Sequence, residues 1–156
     1  MFDTLTGLIN SEGWSSGVMV GAPDVWVVKR LLTSHPWLRL VVVDPFGSDQ
    51  SYEDLIYWRA EHQYNTVIIR MRTDDAAALF EDESYDFVAI NVGCDLGVNI
   101  AAWLNKPRDG GMIVGYGYDP EESPEIITTV DGWFGADVQI YPDQAWAWRC
   151  SERILF

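Results

Sequence analysis

Leu38-Arg39-Leu40-Val41-Val42-Val43-Asp44-Pro45-Phe46 is the stretch from which the rest of the chain can be read. It is apolar apart from Arg39, carries three consecutive valines, and ends abruptly in a carboxylate followed by proline. A short, near-continuous apolar run rich in β-branched residues reads as a strand buried on both faces, the habit of a parallel sheet. Upstream, Gly17-Val18-Met19-Val20 is a second such run, and it breaks at Gly21. A strand that turns at a glycine into a helix, followed by a neighbouring strand that ends in an acid, is the geometry that grips a ribose by its hydroxyls. The pattern points to a nucleoside-containing cofactor anchored by Asp44. The other reading of Asp44 is a solvated turn aspartate ahead of Pro45.

Further runs extend the pattern: Thr66 to Ile69, Phe87 to Ile90 and Met112 to Val114. Helix-like segments separate them. Asp24 to Leu32 carries Val25, Val28, Leu31 and Leu32 at helical spacing behind an acidic cap. A helix is expected from Ser51, with Tyr52, Leu55, Ile56 and Trp58 inward. Thr73 is expected to cap an alanine-rich turn through Phe80, and Gly97 to Leu104 supplies another helix. Ser123-Pro124-Glu125 opens a last one, which should stop at Gly132. Val138 and Ile140, a turn at Pro142-Asp143-Gln144, and Trp146 alternating with Trp148 then read as an antiparallel hairpin. The alternation predicts an α/β fold: a Rossmann-like three-layer sandwich whose seven-stranded, mostly parallel sheet ends in an antiparallel C-terminal hairpin. Trp26, Trp103, Trp146 and Trp148 are expected to face the core.

The chain has 156 residues, 48% of them hydrophobic, enough for one good core and thus a single domain over 1–156. No apolar stretch reaches the roughly 20 residues needed to cross a bilayer, and Met1-Phe2-Asp3-Thr4 does not open a signal peptide. A cytoplasmic protein with no membrane partner is expected. Cys94 and Cys150 show no metal-ligand spacing and are read as reduced thiols, with no metal site. The net charge of −14 argues against nucleic acid, whose phosphates need clustered Lys and Arg. It serves either solubility or an acidic surface that docks a basic partner.

Four stretches together resemble the class I methyltransferases that use S-adenosylmethionine, in particular compact members acting on small molecules. They are Val20-Gly21-Ala22-Pro23-Asp24, Val42-Val43-Asp44-Pro45-Phe46, Tyr85-Asp86-Phe87-Val88-Ala89-Ile90-Asn91, and Arg108-Asp109-Gly110-Gly111-Met112-Ile113-Val114-Gly115. The similarity runs along nearly the whole chain, and Trp146-Ala147-Trp148-Arg149 sits where such domains end in an aromatic strand. There are departures. The first loop has Met19 and Val25 where the family has an acid and further glycines. Asn91 stands where an aspartate usually closes the fourth strand, and Tyr116-Gly117-Tyr118 where relatives often read His-Asp-Tyr. They argue against metal-assisted or histidine-based catalysis.

The resemblance implies S-adenosylmethionine as cofactor, a small-molecule substrate and metal-independent O- or N-methylation. It implies cofactor contacts at Gly21, Ala22, Asp24, Asp44, Phe46, Thr73, Asp74 and Asn91. Chemistry bears on the choice of cofactor, since Pro23 lacks an N–H and Asp24 would repel the pyrophosphate of a dinucleotide, whereas a sulfonium tolerates an acid. Several residues have a second reading: Asp24 and Thr73 as helix caps, Phe46 as core. Asn91, Asp95 and Tyr116 are the catalytic candidates, with Asp95 as base and Tyr116 and Tyr118 shaping the pocket; their alternative is exposed loop. His35 and His62 show no catalytic pattern. The rival reading of the whole chain is a catalytically inactive relative binding a protein through its acidic face, and a third is a nucleotide-binding oxidoreductase. No N-terminal helix is expected over the substrate, which leaves a partner subunit, as in a homo-oligomer, to cover it.

Overall fold

A computed structural model describes residues 2–22, 24–91 and 95–151. The five parallel strands are β1 (Ser16–Val20), β2 (Arg39–Asp44), β3 (Thr66–Arg70), β4 (Tyr85–Ile90) and β5 (Pro107–Gly115). With β6 (Gln139–Ile140) and β7 (Trp146–Arg149) they form one sheet in the order β3-β2-β1-β4-β5-β7-β6, in which β7 runs antiparallel to both of its neighbours. The expected architecture is therefore present. β5 is longer at its start than the Met112 to Val114 run suggests, because Pro107 to Gly111 lie beside the lead-in to β4 and are not all apolar.

Side chains alternate between two cores, as the period of a strand demands. One face of the sheet is covered by α1 (Phe2–Glu12), α2 (Val25–Ser34) and α3 (Asp49–His62), whose Leu5, Ile9, Val28, Leu32 and Leu55 join Met19, Val42 and Phe87. The other is covered by α4 (Thr73–Ala76), α5 (Leu96–Trp103) and α6 (Pro124–Phe134), whose Ala76, Ile100, Trp103 and Phe134 meet Val20, Val88 and Trp146. Each fully buried Leu or Ile contributes about 1.5–3 kcal/mol by leaving water. Gly115 is required by contact, since the Trp146 indole lies where any Cβ would project.

Several expectations are corrected. The chain does carry an N-terminal helix. Leu5, Leu8 and Ile9 form a single buried stripe on α1, Phe2 packs partly buried against the same core, and the other positions are polar or small, so its periodicity is faint. Trp26 does not face the core: it lies on the flank of α2 away from Val28, Leu31 and Leu32 and is 55% exposed, its ring 4.9 Å from the Arg30 guanidinium. Trp14, by contrast, is fully buried and stacks on Phe87. Thr73 is not a cap; Arg72 holds that position and no side chain bonds the helix end, so α4 lasts four residues before a 3₁₀ turn over Ala77–Leu79. Helix α3 starts at Asp49 behind Ser48, and α6 runs past Gly132 to Phe134. Asp24 does cap α2, accepting the Trp26 N–H at 2.9 Å.

Candidate functional site

From β1 the chain steps outward to β2 and β3, then crosses back to β4 on the other side of β1. That reversal opens a crevice at the carboxyl ends of β1 and β4, the place where ligands bind in open α/β sheets. The strand ends there are stitched together one residue beyond the sheet. The Gly21 N–H donates to the Val43 carbonyl at 2.8 Å, and the Asn91 N–H donates to the Val20 carbonyl at 2.8 Å. Gly21 takes φ +87°, a left-handed turn that a side chain would strain.

Asp44 holds two loops at once. Its Oδ2 accepts the Ala22 N–H at 2.6 Å, and its Oδ1 accepts the N–H of Phe46, two residues on, at 2.5 Å. The first bond ties the β1 loop to the end of β2, and the second is an Asx turn. The carboxylate remains half-buried, with no cation bonded to it among the described residues. Phe46 is turned inward. Its ring is 4% exposed and lies 5.3 Å from Tyr52, while its backbone sits at φ +49°. Arg70 braces this loop: Nε and Nη2 donate to the Pro45 and Phe46 carbonyls at 3.3 Å, and Nη1 pairs with Asp49 at 2.7 Å.

On the β3 side, the Thr73 carbonyl accepts the Trp103 indole N–H at 2.9 Å. Asp74 pairs with Arg72 at 2.9 Å, and the Arg72 hydrogen bond holds its carboxyl below the usual carboxylate range. Asp95 is exposed, with φ +58°, and its carbonyl accepts the Asn99 N–H and Nδ2. Asp95 directly precedes α5, which packs against α4, the helix that carries Asp74. Val92, Gly93 and Cys94, between Asn91 and Asp95, lie outside the described residues. On the β5 side, Tyr116 is 44% exposed. Tyr118 donates from its hydroxyl to Asp131 at 2.8 Å, and that bond pushes the phenol up, which makes it a donor rather than a base.

The sheet thus brings Gly21, Ala22, Asp44 and Asn91 to one switch point, with Thr73, Asp74 and Asp95 on one flank and Tyr116 on the other. Arg70 and Arg72 belong to this edge and were not among the residues singled out from sequence; their alternation at the end of β3, opposite the Asp44 loop, is the available signal. The start of α1 arrives here too. Thr4 bonds Asp143 in the β6–β7 turn through its hydroxyl at 2.6 Å and its N–H at 3.2 Å. Among the described residues, no cluster of three or more His, Cys, Asp or Glu could hold a metal ion, and no helix is long and apolar enough to cross a membrane. Cys150 is buried; Cys94 is outside the described residues.

Solved structures share this arrangement over almost all of the chain. A Methanococcus maripaludis protein described as a candidate S-adenosyl-L-methionine-dependent methyltransferase superposes with a TM-score of 0.74 at 11% identity, covering 99% of this chain and 87% of its own. The fold is class I methyltransferase-like. A Corynebacterium glutamicum protein gives 0.73 at 17% identity, covering 99% and 82%. The Burkholderia thailandensis 1,6-didemethyltoxoflavin-N1-methyltransferase, solved with 1,6-didemethyltoxoflavin and S-adenosylhomocysteine, gives 0.67 at 13% identity, covering 97% and 78%. No protein-family model matches the sequence, and no curated protein matches it either.

Proposed function

We propose that the chain is an S-adenosylmethionine-dependent methyltransferase, a single cytoplasmic domain that methylates oxygen or nitrogen of a small molecule without a metal. Asp44 is the observation that carries this reading. A carboxylate offers about four lone-pair positions. Ala22 and Phe46 occupy two of them, which leaves the rest of a half-exposed carboxylate, with no cation on it among the described residues, at the switch point for two ribose hydroxyls. The donor set therefore fits the nucleoside. Gly21 and Ala22 border the same moiety with little or no side chain, and Asp24 adds negative charge at the loop, which suits a sulfonium. Thr73 and Asp74 flank the adenine position, where the Arg72 pair keeps Asp74 ionised as an acceptor for an amine. The buried Phe46 ring contributes packing beneath the loop, not a stacking surface.

When bound, the cofactor supplies a methyl group on a positively charged sulfur. Asn91 can orient an acceptor hydroxyl or amine but cannot remove its proton, so Asp95 is the candidate base and Tyr116 shapes the mouth. Orientation can supply much of the acceleration of an in-line displacement. A small substrate is supported by the bound heterocycle of the Burkholderia neighbour and by the charge of −14, which disfavours nucleic acid. Calorimetry with S-adenosylhomocysteine tests the reading against NAD: saturable binding of the first, tighter than the second, is expected. No heat at millimolar S-adenosylhomocysteine would overturn it.

A further inference from the structure

At the opposite edge of the sheet, the crossover from β3 to β4 contains only the four-residue α4 and one 3₁₀ turn, against fourteen residues for α3 on the other face. So short a helix cannot cover the amino-terminal halves of β2 and β3. It leaves an open cleft of about 260 Å³ whose lining includes Arg39, Val41, Asn65, Val67, Ser84 and Tyr85. Val41 and Val67 are register partners on one face, and Val67 is 52% exposed. They form an apolar floor that nothing described covers.

Arg39 stands apart from most of the protein's cations. Lys29, Arg70, Arg72, Lys106, Arg108 and Arg149 each pair with an acid. Arg39 has no acid within ion-pair distance among the described residues, although acids outnumber bases 24 to 10 in the sequence. A guanidinium presents a planar fork that matches a carboxylate. Beside it, Asn65 and Tyr85 add polar donors, and burial pushes the Tyr85 phenol up, so it stays protonated. The cleft has the volume of roughly nine waters, below the usual range of drug-sized sites. We propose that this cleft is a second binding site, for a small monocarboxylate with an aromatic or branched apolar body, held by Arg39 over Val41 and Val67. Inorganic phosphate or sulfate would make no use of the valines.

Benzoate is the probe, followed by amide resonances of the isotopically labelled full chain. Saturable shifts are expected at Val41, Val67 and Tyr85, with a Kd of about 1 mM for one ion pair and a small ring. Arg39→Gln and replacement of benzoate by neutral benzamide should each weaken binding at least about tenfold, the scale of one charge-assisted bond. Val67→Glu, which adds a like charge to the floor, should do the same. S-adenosylhomocysteine affinity should not change in any variant, so the two sites are scored separately. Absence of saturable shifts at about 10 mM benzoate, ten times that Kd, overturns the proposal. So does equal affinity for benzamide, an unaffected Arg39→Gln protein, or movement of the same resonances with protein concentration alone, which would assign the cleft to a second copy of the chain.

Discussion

Two aspartates at opposite edges of one sheet solve the same local problem and end in different states. Asp86, at the start of β4, accepts the Ser15 and Ser16 N–H groups through Oδ2 at 2.7 and 3.0 Å, and its Oδ1 accepts from Arg108 at 2.5 Å. Asp44, at the end of β2, also accepts two backbone N–H groups, from Ala22 and Phe46, but has no cation among the described residues. Asp86 is buried and Asp44 half-buried. The carboxylate whose capacity is consumed by an arginine is a rivet, and the one with capacity left beside a crevice is available to a ligand. The contrast explains why two equally local acids carry different consequences.

Removing the rivet should have the largest effect. Asp86→Ala leaves two N–H groups and the Arg108 guanidinium without their acceptor, and with Arg108 half-exposed the loss should lie near the low end of the buried-pair range, about 3 kcal/mol by urea unfolding. S-adenosylhomocysteine affinity should stay unchanged, and an equal loss of binding would erase the distinction. The same carboxylate should set part of the acid sensitivity. Burial alone would raise its pKa; hydrogen bonds from Arg108, Ser15 and Ser16 outweigh burial and hold it below the ordinary value. A depressed pKa stabilises above the unfolded value of about 3.9 and is lost as pH falls below it. The gap in stability between wild type and Asp86→Asn should therefore narrow from about pH 5 downward.

Asp44→Ala should reverse the pattern. S-adenosylhomocysteine binding is expected to weaken by about 1.5–3 kcal/mol, the scale of hydrogen bonds to a charged group, while unfolding changes by only about 1 kcal/mol per lost backbone bond. Unchanged affinity in a folded variant would place Asp44 with Asp86 as a structural acid. The smallest effect is expected at Arg72, whose guanidinium is largely exposed where it pairs with Asp74. Arg72→Ala should cost less than about 1 kcal/mol in stability.

Much of the fold was legible because its signals are local. The valine run ending at Asp44, the break at Gly21 and the tryptophan alternation at Trp146 each imply strand type or turn without reference to distant residues. What failed depends on surroundings. Helix α1 has only three fully buried positions, and its fit against the sheet, rather than its pattern, holds it. Trp26 reads as apolar and helical, yet its position around α2 turns it outward to meet Arg30. Phe46 carried two readings, adenine contact and core packing, and only its surroundings show the ring turned into the core.

The sequence by itself determined the layering, the near-complete set of strands and the presence of an acid at the crevice, since apolar period and turn chemistry act within a few residues. Only the tertiary structure decided which groups each acid bonds. Asp86 meets Ser15 and Arg108 from sequence separations of 71 and 22, and Asp44 meets Ala22 from 22. A carboxylate's role is set by how many of its lone pairs the folded chain fills, and those partners are chosen by strand order and register rather than by neighbours along the chain.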